Sequence, residues 1–268
     1  MTIVVKLGGS ILGEGVNPSI INDIQDIAKS TKLVLVHGGG DEVTEIAEKM
    51  GKQQKFIVSP EGIRSRYTDK ETAAIYTMVM VGRLNKEIVA ALEKVGLHAV
   101  GLSGIDGGLI RAERKKKLII VEGGRKRVID GGYTGKIQST NADLLKSLIG
   151  MNYVPVVSPV ALSEEFEFLN VDGDRAAAYL AGGLKADKVV FLTDVNGVLM
   201  DGKVVSRMTV NEARAMLPKI GHGMEKKVLA SIETIDMGVK ESIIASGIVD
   251  NPISNAASHI NCTVIVPG

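Results

Sequence analysis

Lys6 stands near the end of an apolar run, IVVKL, and Gly8, Gly9 and Ser10 follow it at once. An ammonium beside a glycine turn with exposed backbone N–H groups has the makings of an anion site. The plain alternative is a strand ending at a glycine turn with a solvated lysine. LVLVHGGGDEV repeats the design, with Gly38, Gly39 and Gly40 leading into a helix whose N-terminal dipole also favours an anion. In IGHGMEKKVLAS, Gly221 and Gly223 precede a helix with Lys226 and Lys227 in its first turn, where cations oppose the dipole. A bound anion explains that placement, and two exposed surface lysines would be the bland reading. FLNVDGDRAAAYLAGGL sets Asn170, Asp172 and Asp174 before an alanine-rich helix, and either aspartate could be only its N-cap. Asp194 opens a polar turn after VVFLT that suits the wall of a nucleotide pocket, although turn chemistry alone also selects such residues. His37 reads either as a base or as a strand-end histidine bonded to backbone. Neither the dinucleotide-binding glycine spacing nor the Lys-Ser/Thr ending of a P-loop occurs around Lys6.

These motifs sit between short β-branched runs and amphipathic stretches that alternate along the chain. IVVKL, KLVLVHG, HAVGLS, KLIIVE, VPVVSPV, KVVFLTD, ESIIAS and CTVIV read as strands. PSIINDIQDIAKS, DEVTEIAEKMG, ADLLKSLIG, TVNEARAMLP and the long KETAAIYTMVMVGRLNKEIVAALEKVG read as helices. That rhythm predicts an α/β fold, a mainly parallel sheet between two helical layers, with ligands at the carboxyl ends of its strands. RKKKLIIVEGGRKRVIDGGYTG reads as hairpins because of its Gly-Gly turns. One globular unit with two lobes is the economical organisation for 268 residues.

Composition narrows the function classes. No apolar run approaches the roughly 20 residues needed to span a bilayer, and the N-terminus reads as a strand, so a soluble, cytoplasmic protein is expected. The single cysteine, Cys262, forms no internal disulfide and reads as a small packed residue. A net charge of +1 with 3% aromatic residues carries no nucleic-acid signature. From Arg111 to Arg127, however, eight Lys or Arg face only two Glu, leaving about −5 for the remainder.

Taken in order, KLGGS, HGGG, the Gly-Ile-Arg ending at Arg64, LNVDGDRAA, LTDVNGVL and GHGMEKK resemble the amino acid kinase family over essentially the whole chain, and most of all its acetylglutamate kinase branch. Within that branch, GIRSRYTDKET and the basic hairpins are similar to kinases that take substrate attached to a small acidic amino-group carrier protein. The resemblance implies a three-layer αβα sandwich, with an acceptor and dimerisation lobe over about residues 1–169 and a nucleotide lobe over about 170–268. It implies ATP-dependent phosphorylation of the side-chain carboxylate of carrier-linked 2-aminoadipate or glutamate, in lysine or arginine biosynthesis. Lys6, Lys227 and Asp174 would be catalytic, and Gly8, Gly9, Gly39, Gly40 and Asp194 would bind the nucleotide and its phosphates. Arg64 and Asn170 would hold the substrate, and ATP would bring Mg2+ on its phosphates rather than on protein ligands.

The carrier would meet Arg66, Tyr67, Lys115, Lys116, Lys117, Arg125, Lys126 and Arg127, though a structural role for Arg66 or Tyr67 is an equal alternative, and a charge run is usually a solvated face. The family implies a homodimer, to which the helix around Ala73–Leu92, with Met78, Met80 and Val81, would supply an interface if those residues are not simply core. Arginine-sensitive hexameric relatives carry an extra N-terminal helix, and a chain beginning at its first strand implies no feedback of that kind. A conventional N-acetylglutamate kinase acting on the free small molecule, and a non-catalytic nucleotide-binding regulator, are the competing readings.

Overall fold

In the computed structural model, which describes residues 1–12, 17–221 and 223–268, eight strands form one sheet. In chain order they are β1 (Thr2–Leu7), β2 (Lys32–His37), β3 (Ala99–Ser103), β4 (Val154–Ser158), β5 (Lys188–Thr193), β6 (Arg207–Thr209), β7 (Glu241–Ser246) and β8 (Cys262–Val266). Their spatial order is β6-β8-β7-β5-β1-β2-β4-β3, parallel throughout except for the β7–β8 pair. The central strands are apolar at nearly every position because helices cover both faces. From β1 the chain builds outward through β2 on one side, then returns to place β5 on the other. That reversal opens a crevice at the carboxyl ends of β1, β2 and β5.

Alternation along each strand decides which face a side chain joins. Val4, Val34, Val36, Val157, Val189 and Phe191 pack against the helices Ala142–Gly150, Gly173–Leu184 and Met224–Asp236. Ile3, Val5, Leu7, Leu33, Leu35 and Val156 pack on the opposite side, under Pro18–Ala28, Asn85–Lys94 and Pro252–Ala257. Lys6 therefore shares the face of Val4, toward the helix that carries Asp174. His37 shares the face of Leu35, away from it. Ala176, Ala177, Ala178 and Ala181 are fully buried, and their small side chains let that helix lie close on the sheet.

A second sheet joins Phe168–Asn170, Val160–Leu162, Ile110–Arg114 and Gly135–Thr140. Lys117–Glu122 and Arg125–Asp130 pair as a separate hairpin whose Gly123 and Gly124 both have positive φ, the two-residue turn the sequence predicts. The second Gly-Gly behaves differently. Gly131 and Gly132 carry the chain into Gly135–Thr140, which pairs with Ile110–Arg114 rather than with the strand just before it. The long predicted helix is also interrupted: α-helix Lys70–Thr77 passes through a π-helical stretch, Met78–Leu84, before resuming at Asn85–Lys94. Met80 of that stretch is 1% exposed and belongs to the core, whereas Met78 is 53% exposed. Cys262 is buried, and no helix of the described residues is long and apolar enough to cross a membrane.

Candidate active site

At the carboxyl edge of β1, Lys6 Nζ lies 2.8 Å from Asp174 Oδ1, and Lys227 Nζ lies 3.5 Å from Asp174 Oδ2. Residues far apart in sequence thus form one cluster, with side-chain exposures of 9% for Lys6, 6% for Asp174 and 16% for Lys227. Burial alone would raise the Asp174 pKa, but the charges of Lys6 and Lys227 outweigh it and hold the carboxyl below its ordinary value. The Lys6 contact is an ion pair off the hydrogen-bonding direction, for Oδ1 accepts no aligned hydrogen bond. The Lys6 ammonium keeps donors for another oxygen. The two aspartates divide their duties: Asp172 caps the helix, accepting from the N–H groups of Asp174 and Arg175 at 3.0 Å, which frees Asp174 for the lysines.

The glycine turns meet backbone to backbone. A Cβ on Gly38 would stand 2.8 Å from the Gly9 nitrogen, so neither loop tolerates a side chain at this approach. Gly39 has φ +142, and a Cβ there would collide with Leu84 of the π-helical stretch at 2.1 Å. Gly40 opens the helix Gly40–Lys49, with Asp41 and Glu42 in the first turn as the dipole favours. Gly8 donates to the Leu192 carbonyl at 3.1 Å, which brings the end of β5 alongside. Asp194 lies just beyond that end, exposed, accepting from the Thr193 hydroxyl at 3.0 Å.

From this cluster a cleft of about 580 Å3 runs outward, lined by Lys6, the second glycine turn, Arg64, Arg66, Lys115, Asn170, Arg175 and Lys226 among others. Among its described lining residues, only Glu61 and Asp172 are acidic. Arg64 stacks on Phe56, its Cζ 3.9 Å from the ring centre, and its carbonyl accepts from Lys226 Nζ at 2.8 Å. Asn170 donates to Thr68 Oγ1 at 3.0 Å. Arg66 is spent on support: it donates to the Gly40 carbonyl at 2.6 Å, to Thr44 Oγ1 at 2.8 Å and to Gln54. Tyr67 lies half-buried beside the Lys55 ammonium, 5.7 Å from its ring centre.

Strand parity settles His37. It is fully buried on the other face, with Nδ1 2.9 Å from the Gly38 carbonyl and Nε2 2.8 Å from Ser158 Oγ, and Asn85 Nδ2 lies 3.3 Å from Nε2. Burial lowers its pKa to about 4, so at neutral pH it is an uncharged brace for the glycine turn. The Ser158 hydroxyl, within reach of both Nε2 and the Met80 carbonyl at 3.1 Å, ties the π-helical stretch to the same network.

The basic segment separates into unlike parts. Lys115 turns into the cleft. Lys116 lines a second groove among Glu113, Asp130, Glu164, Glu165 and Glu167. Arg127 pairs with Glu122, while Lys117, Arg125 and Lys126 are exposed on the hairpin. Arg175 was missed by the sequence reading. It lines the cleft and is held by Glu233, and a cation in the first turn of its helix was the same signal that singled out Lys226 and Lys227. His222 of the GHGMEKK stretch lies outside the described residues.

The sequence model described as Amino acid kinase family matches residues 1–246. A Saccharolobus solfataricus protein named LysW-aminoadipate/LysW-glutamate kinase is 45% identical over 268 residues, covering 99% of this chain and 100% of that one. A Nitrosopumilus maritimus protein provisionally given the same name is 60% identical over 264 residues, 98% of each chain. Among solved structures, N-acetylglutamate synthase from Neisseria gonorrhoeae, complexed with coenzyme A and N-acetyl-glutamate, superposes with a TM-score of 0.82 at 22% identity, over 100% of this chain and 59% of that one. Giardia carbamate kinase gives 0.70 at 18% identity, over 100% and 99%. At such identities these two likenesses concern the fold alone.

Proposed function

The chain belongs to the amino acid kinase family, and from that membership we propose that it transfers the γ-phosphoryl group of ATP to the side-chain carboxylate of 2-aminoadipate or glutamate borne on a LysW-type carrier protein. The observation that carries this reading is the Lys6–Asp174–Lys227 cluster between two glycine turns, in a chain whose full-length relatives bear that name.

A carboxylate acceptor is ionised at pH 7 and needs no general base, which agrees with a neutral, turned-away His37. The obstacle is electrostatic. Two unit charges at about 4 Å repel by roughly 4 kcal/mol at an effective dielectric of 20. Lys6 and Lys227 supply positive charge along the transfer path, and Asp174 holds the two ammoniums at a fixed separation. Gly9 and Gly40 offer N–H groups to the phosphates, while Gly8 fits against the Leu192 carbonyl and Gly39 against Leu84, leaving both turns open to them. Arg64 and Asn170 receive the acceptor's α-carboxylate, so residues before about 170 seat the acceptor and those after it, with Asp194, flank the nucleotide. Mg2+ enters on the ATP phosphates and water. Asp174, beside the transfer path, is engaged by both lysines.

The exposed Lys117, Arg125 and Lys126 steer the acidic carrier toward the cleft mouth. Arg66 and Tyr67 act on carrier-linked substrate through the glycine turn and hairpin that they brace. We also infer a cytoplasmic homodimer joined through the exposed Met78 side of the helix, so sedimentation should give about twice the 28.4 kDa chain mass.

Acyl phosphate trapped with hydroxylamine, in the presence of ATP and Mg2+, tests the reading. Carrier-linked aminoadipate or glutamate should be turned over and free N-acetylglutamate should not. Turnover of the free compound alone would establish the conventional acetylglutamate kinase instead, and no phosphoryl transfer to any of them would leave a nucleotide-binding regulator.

A further inference from the structure

Lys115 occupies the bend between Ile110–Arg114 and Lys117–Glu122, half-buried on the cleft wall with Thr134, Asn170 and Arg175. Its base is rigid. Its N–H donates to the Thr134 carbonyl at 2.9 Å, and Gly131 packs so close that a Cβ there would lie 1.5 Å from the Lys115 carbonyl oxygen. Tyr133 of the same turn donates to the Thr68 carbonyl at 2.6 Å, and Thr68 holds Asn170.

Three other cations here lie in described ion pairs, and Lys115 does not. Lys6 and Lys227 share Asp174, and Arg175 is bound by Glu233. No described carboxylate forms an ion pair with Lys115; burial first and then the charge of Arg175 lower its pKa, and the Asp172 carboxylate of the same wall only partly opposes them from beyond ion-pair distance. A cation desolvated beside another cation is unfavourable until an anion arrives. The Thr134 hydroxyl on the same wall is buried without a hydrogen-bond partner. With the acceptor carboxylate at Lys6 and Lys227, and the α-carboxylate at Arg64 and Asn170, Lys115 is a cation in excess of what the amino acid itself can occupy.

We propose that Lys115, flanked by Arg175 and Thr134, is a further anion subsite of the cleft, taking a carboxylate that the carrier presents close to the acylated amino group. This rests on the function proposed above and deepens it. A free N-acetyl amino acid offers only a methyl group there, so the subsite favours substrate on its carrier.

The test is the Michaelis constant for carrier-linked aminoadipate in wild type, Lys115→Met and Lys115→Arg, at low salt and at 0.5 M salt, where the screening length is roughly 4 Å. Lys115→Met should raise that constant about tenfold at both salt concentrations and leave the constant for ATP unchanged, which also reports an intact fold. Lys115→Arg should restore most of the loss. An unchanged constant, or a rise that disappears at 0.5 M salt, would overturn the subsite while wild-type turnover of carrier-linked substrate upheld the function. Absence of that wild-type turnover would overturn both. The carboxylate class is checked by inhibition with N-succinyl- against N-butanoyl-aminoadipate: the succinyl compound should inhibit wild type at least tenfold better and Lys115→Met no better. Equal inhibition of wild type by the two, or none by either, would overturn the carboxylate assignment.

Discussion

The cluster of Lys6, Asp174 and Lys227 and the hairpin Lys117–Asp130 are both basic, yet they use charge in opposite ways. In the cluster, two cations share one carboxylate, and its most exposed side chain is 16% accessible. On the hairpin, Arg127 is 63% exposed even while paired with Glu122. Charge density along the sequence draws attention to the hairpin. Burial gives the greater weight to the cluster, because a poorly solvated charge interacts strongly and an exposed one is screened.

Four measurements would break or sharpen that contrast. The largest effect is expected from Asp174→Asn, which strands two ammoniums in a buried site: about 3 to 5 kcal/mol of stability should be lost by urea denaturation. A loss below 1 kcal/mol would mean that the cluster is solvated like the hairpin. Lys6→Met and Lys227→Met should each lower turnover about 10²- to 10³-fold with near-wild-type unfolding, since each removes a cation from the transfer path. Near-normal turnover in either variant would remove it from the proposed chemistry.

A smaller effect concerns the neutral brace beneath the glycine turn. The folded pKa of His37, about 4, lies below its ordinary 6.5, so the unfolded chain takes up a proton that the native state refuses. Its neutral form supports the fold fully above pH 6.5, and that support is lost as pH falls from 6.5 toward 4. Between pH 7.5 and 5 the wild type should lose about 2 kcal/mol more than His37→Gln. Equal losses would show that His37 is not held neutral. The smallest effect belongs to the hairpin: Arg125→Glu with Lys126→Glu should raise the Michaelis constant for carrier-linked substrate several-fold at low salt, and hardly at all at 0.5 M. An effect that persisted at high salt would place these residues in direct, desolvated contact instead.

Much of the site was legible because its signals are local. A lysine before a glycine turn and a second glycine turn one strand later have the makings of an anion site, and two lysines in the first turn of a helix oppose its dipole. The same rule applied to GDRAAA would have singled out Arg175. His37 was ambiguous from its neighbours alone. The alternation along β2 resolves it once the strand is known to be covered on both faces, for Leu33, Leu35 and His37 share one side and Val34 and Val36 the other.

The sequence by itself determined the strand and helix rhythm and the glycine turns at the ends of β1 and β2, because periodicity and turn preference act over a few residues. Only the tertiary structure decided that Asp172 caps while Asp174 pairs, and that Gly131 and Gly132 lead to a distant partner strand. It also decided that Met78–Leu84 adopts a π-helical turn over Gly39, and that Lys115 enters the cleft while Lys116 and Lys117 leave it. Each of these depends on which remote backbone occupies the neighbouring space, and adjacent residues of like chemistry carry no record of that.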